Sequence, residues 1–564
     1  MARIVGLGIQ DFSKIQRENV FYIDKTRFLK EWWEAKDEVT LIARPRRFGK
    51  TLTISMVEQF FSAAYADNRC FQDMDIWKEK KYREIQGTYP VISLTFSSIK
   101  ERNFEEARKK ICATIQMLYQ KYRFLLEGDI LNEQEKAEFL KVSVEMPEYE
   151  ATLTLKKLSG YLERFYKKKV ILLLDEYDTP MQEAYVKGYW QELADFVRNL
   201  LNASFKDNPY LERGLMTGIT RISKGSIFFD LNHLKVVTTT SNEYADCFGF
   251  TEEEVFRSLE EYGLSDRKEE VKKWYDGFCF GDVKDIYNPW SILNYLDTKT
   301  AAPYWVNTSS NQLISTLLQE GNKEVKESFE KLLRRECIYT VMDEQIIYGQ
   351  LDMDENAIWS LMLASGYLKV SNSRTVETSS EWDHVYGVSI TNFEVLIMLK
   401  KMVRSWFAPS SSNYNEFVKA MLVGDVKAMN VYINRIASAV FSYFDTGKKP
   451  SEAAEPERFY HGFVLGLIVD LEDRYQITSN RESGFGRYDV VIEPKEKADQ
   501  AIIMEFKIQD QDEKDLLQTV EAALSQIEMK NYASGLIGKG IHPEQIRKYG
   551  FAFRGKEILI GEGK

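Results

Sequence analysis

The 564-residue chain reads as an α/β protein in three parts: a parallel sheet with helices on both faces, a mainly helical middle region, and a compact α/β module at its end. Three observations predict this. Short β-like runs alternate with longer helical spacings over the first 240 residues, the pattern of a doubly wound parallel sheet. From about residue 250 to 445 the apolar spacing becomes mostly helical. After a polar run at 444–456, read as a linker, strands and helices alternate again. The expected domains are 1–245, 246–445 and 446–564.

In order, the first part offers apolar strand candidates at 39–43, 90–95, 169–174 and 213–219, with 235–239 as a fifth. Helical spacing fills 51–64, 103–126 and 186–205 between them. In the middle, helices are expected over 251–262, 266–276, 322–335, 390–407 and 413–438, with a β-like piece near 383–390. The last module reads as a helix at 457–473, strands at 475–479, 487–492 and 500–507, a helix at 512–531, then strands at 533–538 and 550–560. There is no internal repeat, which excludes solenoids and propellers.

Composition sets further bounds. With 44% apolar, 29% charged and 13% aromatic residues, the chain is neither disordered nor fibrous. It carries 75 Lys and Arg against 86 Asp and Glu, a net charge of −11, so any contact with a polyanion must come from a local patch. The five cysteines never form a CxxC pair, which points to a reducing compartment without a disulfide framework or zinc ribbon. The four histidines are too dispersed for a His-rich metal centre. No stretch approaches the roughly 18 apolar residues of a membrane span, and the N-terminus lacks the apolar core of a signal peptide. A cytoplasmic protein with no membrane contact is expected.

The strongest chemical signal is LIARPRRFGKTLTIS at 41–55, a β run, a turn, then Gly49-Lys50-Thr51 opening a helix. Free N–H groups at a helix start point at an anion, a lysine adds mobile positive charge, and a threonine hydroxyl can ligate Mg²⁺. The usual phosphate loop has a glycine where this chain has Arg44. Pro45 with Arg44, Arg46 and Arg47 would then stiffen the loop and add charge; a plain basic turn is the competing reading. The strand at 169–174 supplies context, because it runs into Asp175-Glu176-Tyr177-Asp178. There Asp175 would hold Mg²⁺ through water, and Glu176 would orient and activate an attacking water. In Thr217-Gly218-Ile219-Thr220-Arg221, Thr217 is placed to sense a γ-phosphate. Arg221 suits a cis role in stabilising charge, a reach into a neighbouring subunit of a homo-oligomer, or simple pairing with a surface acid.

These motifs together resemble the bacterial AAA-ATPase-like family. The residues concerned are FYIDKTRFLKEW (21–32), RPRRFGKTL (44–52), LLLDEYDTP (172–180), TGITRISKGSIFFDLNHL (217–234), FGFTEEEV (248–255), and WYDGFCFG with YNPWSIL (274–293). The likeness spans about residues 6–300. In that family the RPRRFGK form of the phosphate loop is normal. The resemblance implies an ASCE-type P-loop fold that binds ATP and Mg²⁺ through Arg46, Arg47, Phe48, Gly49, Lys50, Thr51 and Leu52, with Asp175 and Glu176 at the catalytic centre. The aromatic segment 274–293 is open to three readings from its residues: a lid over the nucleotide, an interdomain contact, or plain packing.

A second acidic constellation lies near the end of the chain. Asp489 closes Gly486-Arg487-Tyr488-Asp489, and Glu505 and Lys507 are two apart on the next strand, hence on one face. Two carboxylates on neighbouring strands can hold Mg²⁺ against a phosphodiester, and the lysine can stabilise developing negative charge. Glu457 could add an acid from the preceding helix, whereas His461 reads as a core histidine. With Gln526 in the following helix, the pattern resembles the PD-(D/E)XK nuclease superfamily, which has a restriction-endonuclease-like fold. That resemblance spans about 455–560 and implies a metal-dependent nuclease on DNA or RNA. Residues 446–564 hold 17 Lys and Arg against 21 Asp and Glu, so this module has no bulk attraction for nucleic acid.

The sequence thus leads to an ATPase coupled to a nuclease. The alternative is a nucleotide-driven switch whose nuclease-like end is inactive and binds a partner.

Overall fold

The computed structural model describes residues 3–220, 233–305, 312–321, 323–342, 355–377, 382–406, 414–440, 464, 468, 471, 474–483, 486–496, 499–510 and 512–563. It divides into two compact units, Met1–Leu317 with Arg335–Leu396, and Leu318–Arg334 with Ile397–Lys564.

The first unit is built on five parallel strands, β1 (Val39–Ala43), β2 (Val91–Thr95), β3 (Val170–Asp175), β4 (Leu211–Gly218) and β5 (Leu234–Val237). Their spatial order is β2-β3-β4-β1-β5. Every residue of β1 and β3 is buried, as expected of unbroken apolar runs covered by helices on both faces. Strand β4 stands between β1 and β3, the added strand that an ASCE-type sheet requires. The register aligns Ala43 with Gly218 and Leu174 with Met216, so β1, β3 and β4 end at one edge. Ligands of open α/β sheets bind outside such carboxyl ends.

The remainder of this unit, read from sequence as mainly helical, also holds two small antiparallel sheets. One joins β6 (Phe250–Thr251), β7 (Phe278–Phe280) and β8 (Val283–Tyr287) in the order β6-β8-β7. The other joins β9 (Ile338–Val341), β10 (Leu368–Glu377) and β11 (Trp382–Ile390) in the order β10-β11-β9, and β11 covers the β-like piece expected near 383–390. Strands of two to five residues, such as β6 and β7, are too short to reveal a period of two.

The second unit carries β12 (Tyr475–Ser483), β13 (Gly486–Pro494), β14 (Ala501–Ile508), β15 (Ile546–Arg554) and β16 (Glu557–Gly563), side by side in chain order. Only β14 and β15 run parallel. The helix Leu516–Met529 covers one face, where Val491, Ile503, Ile527, Tyr532 and Leu536 share a core. Two expectations are corrected here. Residues 533–538 form a short helix, Ser534–Gly538, because the chain turns at Asn531 (φ 51°) and closes locally through Ile537 N–H onto the Ala533 carbonyl. The single strand expected at 550–560 is a hairpin, broken at Gly555, whose φ of 57° suits a tight turn. Likewise the helix expected over 413–438 splits into Tyr414–Val423 and Val426–Val440 at Gly424 (φ 78°). The proposed linker at 444–456 lies outside the described residues, as does nearly all of the helix expected at 457–473.

The edge of this sheet is closed by side chains. Asn430 donates to the Ile560 carbonyl (2.9 Å) and accepts from its N–H (2.8 Å); Asn434 does the same with Ile558 (2.6 and 2.9 Å). One helical turn apart on Val426–Val440, the two amides replace a missing strand. Each of Asn430→Ala and Asn434→Ala should cost about 1–2 kcal/mol, since each orphans a backbone donor and acceptor. Denaturant unfolding of the second unit is the check; a cost near zero would mean that water serves the edge equally well.

Candidate nucleotide and metal sites

The phosphate loop follows from how β1 ends. The helix Lys50–Phe61 starts at Gly49, whose φ of 83° is left-handed, and no side chain caps it. Its first-turn N–H groups therefore remain available to an anion. Left-handed backbone falls at Gly49 and at Arg47 (φ 66°), not at Arg44. That explains why a glycine is unnecessary at position 44. Arg44 is fully buried and turned inward: it donates to the Thr238 and Glu243 carbonyls and lies 4.3 Å from the Phe280 ring. Burial pushes its guanidinium down to about 9. Arg44 is thus a brace for the loop rather than a source of phosphate-facing charge.

Lys50 is 7% exposed and donates to the Arg44 and Pro45 carbonyls, both at 2.8 Å. Burial lowers its ammonium pKa to about 8, while Glu176, Asp178 and Asp175 hold it up against a larger fall. Arg46 donates to Gln182 (3.1 Å), and Phe48 packs edge-on against Phe278 and Phe280 of β7. Thr51 and Leu52 are half-buried in the first helical turn.

The acidic side of the site comes from β3 and β4. Asp175 is 2% exposed; it accepts from Thr217 Oγ1 at 2.5 Å and is also bonded by the Thr51 hydroxyl. Burial raises its pKa, and the two hydroxyls work against that rise. Glu176 takes a left-handed φ of 52°; its N–H donates to Thr217 Oγ1 (3.3 Å) and its carboxylate accepts from Thr179 (3.2 Å). The structure therefore brings Lys50, Thr51, Asp175, Glu176 and Thr217 to one edge. Arg221 lies outside the described residues. A hydroxyl and a buried carboxylate form the hard-oxygen donor set that suits Mg²⁺.

Asp178 was given no role by the sequence pattern. It is buried and accepts from the N–H groups of Ile219 (2.8 Å) and Thr220 (3.1 Å), fixing the end of β4 beside the site. Burial raises its pKa, and those two N–H bonds oppose the rise. Its position before Thr179-Pro180 reads as a helix cap, yet it makes no cap bond.

In the second unit, Glu505 is 3% exposed on β14 and accepts from the Gln526 amide, which also donates to Tyr532 Oη (3.3 Å). Lys507, two residues on, is half-buried. The β13–β14 ladder ends at Val490 opposite Met504, so Asp489 and Glu505 are the next residues on their strands. The side chain of Asp489 lies outside the described residues, as do Glu457 and His461. The buried Glu505 carboxylate, with its amide support, is a hard donor compatible with Mg²⁺.

Among the described residues a further acidic group stands in the first unit. Glu252, Asp276 and Asp285 each bring an oxygen within 4.8 Å of the others. Lys272 bonds Glu252 at 2.5 Å, and Lys369 adds nearby positive charge, so the group reads as an ionic network. Burial, then Asp285, pushes the Asp276 carboxyl up to about 6 from an ordinary 3.8. The folded state therefore keeps a proton that the unfolded state releases, and stability falls as pH rises between those two values. Asp276→Asn should raise Tm at about pH 7.5 and by clearly less at about pH 4.5, where only part of that loss has accrued. An equal shift at both would contradict the assignment.

Residues 6–228 match the family described as Predicted AAA-ATPase, and residues 455–563 match the PD-(D/E)XK nuclease superfamily. A protein of Azotobacter chroococcum mcd 1, described as an uncharacterized protein in the vnfD 5′ region, is 23% identical over 568 residues. The alignment covers 98% of this chain and 97% of that one. Among the described residues no helix is long and apolar enough to cross a membrane.

Proposed function

We propose that this chain, which joins a predicted AAA-ATPase-like domain to a PD-(D/E)XK nuclease-superfamily domain, is an ATP-hydrolysing protein that uses its nucleotide cycle to control cleavage of nucleic-acid phosphodiesters. The observation that carries the first half is the gathering of Lys50, Thr51, Asp175, Glu176 and Thr217 at the carboxyl ends of β1, β3 and β4.

In this reading Lys50, still largely protonated at neutral pH, binds the β- and γ-phosphates of ATP. The loop N–H groups over 46–51 cradle the same oxygens, and Arg46, Arg47, Phe48 and Leu52 shape the loop. Glu176 accepts a proton from the attacking water; its left-handed backbone and the Thr179 bond orient its carboxylate. Thr217 fixes Asp175 and reports on the γ-phosphate, and Arg221 stabilises charge in cis or across a homo-oligomer interface. In the second unit Lys507 stabilises charge developing on the scissile phosphate of DNA or RNA, and Gln526 orients Glu505. Thr51 and Asp175, and in the second unit Asp489 and Glu505, would hold divalent cations, which would supply charge neutralisation at both sites and water activation at the second. The setting is cytoplasmic.

The test of the first half is ATP turnover by the purified chain with Mg²⁺ and after chelation. Metal-dependent turnover is expected; none under any condition would remove the reading.

A further inference from the structure

The segment read as lid, interdomain contact or packing has a more specific relation to the phosphate loop. Asn288 donates from Nδ2 to the Arg46 carbonyl at 3.2 Å, and Trp305 donates from Nε1 to the same oxygen at 3.1 Å. Both lone pairs of that carbonyl are thereby engaged. In a trans peptide the C=O and the following N–H point in opposite directions, so tying back the Arg46 oxygen sets the direction of the Arg47 N–H. Arg47 itself holds a left-handed φ of 66°, a conformation that side chains other than glycine rarely take. Its guanidinium lies 4.4 Å from the Trp290 ring, which gives that unusual backbone a cation–π anchor.

The clamp is itself braced. Glu394 is fully buried; it accepts from the Trp305 N–H (2.6 Å) and from Ser291 Oγ (2.8 Å). Asn288 caps the helix Pro289–Thr298 through its other amide atom, accepting from Trp290 N–H at 2.9 Å. The Trp305 ring packs on Phe278 and Tyr367, and Phe278 meets Phe48 of the loop. Gly366 closes the wall: with φ 86°, a Cβ there would come within 2.9 Å of Pro45.

We infer that Asn288 and Trp305 are positioning residues that preset the phosphate loop for nucleotide by holding the Arg46 peptide, with Glu394 bracing Trp305. This rests on the nucleotide-binding reading above. Neither residue touches the phosphates in this account; both act through the Arg46–Arg47 peptide. A loop that must find this left-handed conformation only on binding would lose affinity for every nucleotide that carries the β-phosphate.

Two conservative variants test it. Trp305→Phe keeps an aromatic ring against Phe278 and Tyr367 and removes the Nε1 donor. Asn288→Ser keeps a capping oxygen, since serine is a favoured N-cap, and removes the amide donor. Kd for ATP and ADP should rise at least tenfold in each variant and further in the double variant, measured by titration calorimetry well below Tm. A purely structural role would instead lower the Tm of the ligand-free protein and leave Kd unchanged. Kd within twofold of wild type in both single variants and the double variant, with Lys50→Ala unable to bind, would overturn the clamp and leave the nucleotide site standing. A wild-type chain that binds no nucleotide would overturn both.

Discussion

Lys50→Ala is expected to abolish nucleotide binding and ATP turnover, with a loss of at least about 100-fold. The size follows from what the ammonium does. It is the one cation buried among Asp175, Glu176 and Asp178 in the described site, and it bridges the Arg44 and Pro45 carbonyls at the root of the loop. Removing it leaves those carbonyls facing incoming phosphates without compensation. Glu176→Gln separates binding from chemistry: Kd should hold within a few-fold while turnover falls by about 100-fold or more. Comparison of Kd and kcat in the two variants is the check. Wild-type turnover by the Lys50 variant would sink the assignment.

Glu505→Gln is expected to eliminate cleavage, by about 1,000-fold or more, while ATP binding survives. The replacement is nearly isosteric, and its own carbonyl can still accept from Gln526, so the buried strand end keeps its support. What disappears is the charge that would hold a divalent cation. Asp489→Ala should have the same effect from the neighbouring strand. Gel-based cleavage of labelled nucleic acid, beside a nucleotide-binding control, separates lost chemistry from lost fold. Cleavage that continues undiminished in both variants would show that these carboxylates are not the reacting site.

Much of this was legible because the relevant residues are neighbours in the chain. The phosphate loop with Lys50 and Thr51, the Asp175–Glu176 strand end, and the Glu505–Lys507 pair each sit within a few residues on one element, where strand and helix periods fix their faces. Thr217 was legible for a related reason, since a strand ending in hydroxyls beside an acidic strand is itself a local pattern. Its bond to Asp175 follows once β4 lies next to β3. Asn288 and Trp305 were not legible as loop-holding residues. They lie 242 and 259 residues from Arg46 in sequence, and nothing in YNPW announces a partner so distant. Arg44 misled in a different way: an arginine in a basic turn suggests outward charge, whereas the fold turns it inward onto the Thr238 and Glu243 carbonyls. Short apolar runs such as 533–538 carry too few residues to separate helix from strand.

Coupling between the two sites is read from cleavage with and without nucleotide. Single- and double-stranded DNA and RNA should be incubated with wild-type protein and Mg²⁺ or Mn²⁺, with and without ATP, beside an Asp489→Ala/Glu505→Ala control. Coupled sites should give cleavage that changes with ATP and vanishes in the control. Intact ATP turnover with no cleavage of any substrate would contradict that coupling, and would make the chain a nucleotide-driven switch whose nuclease-like domain binds a partner.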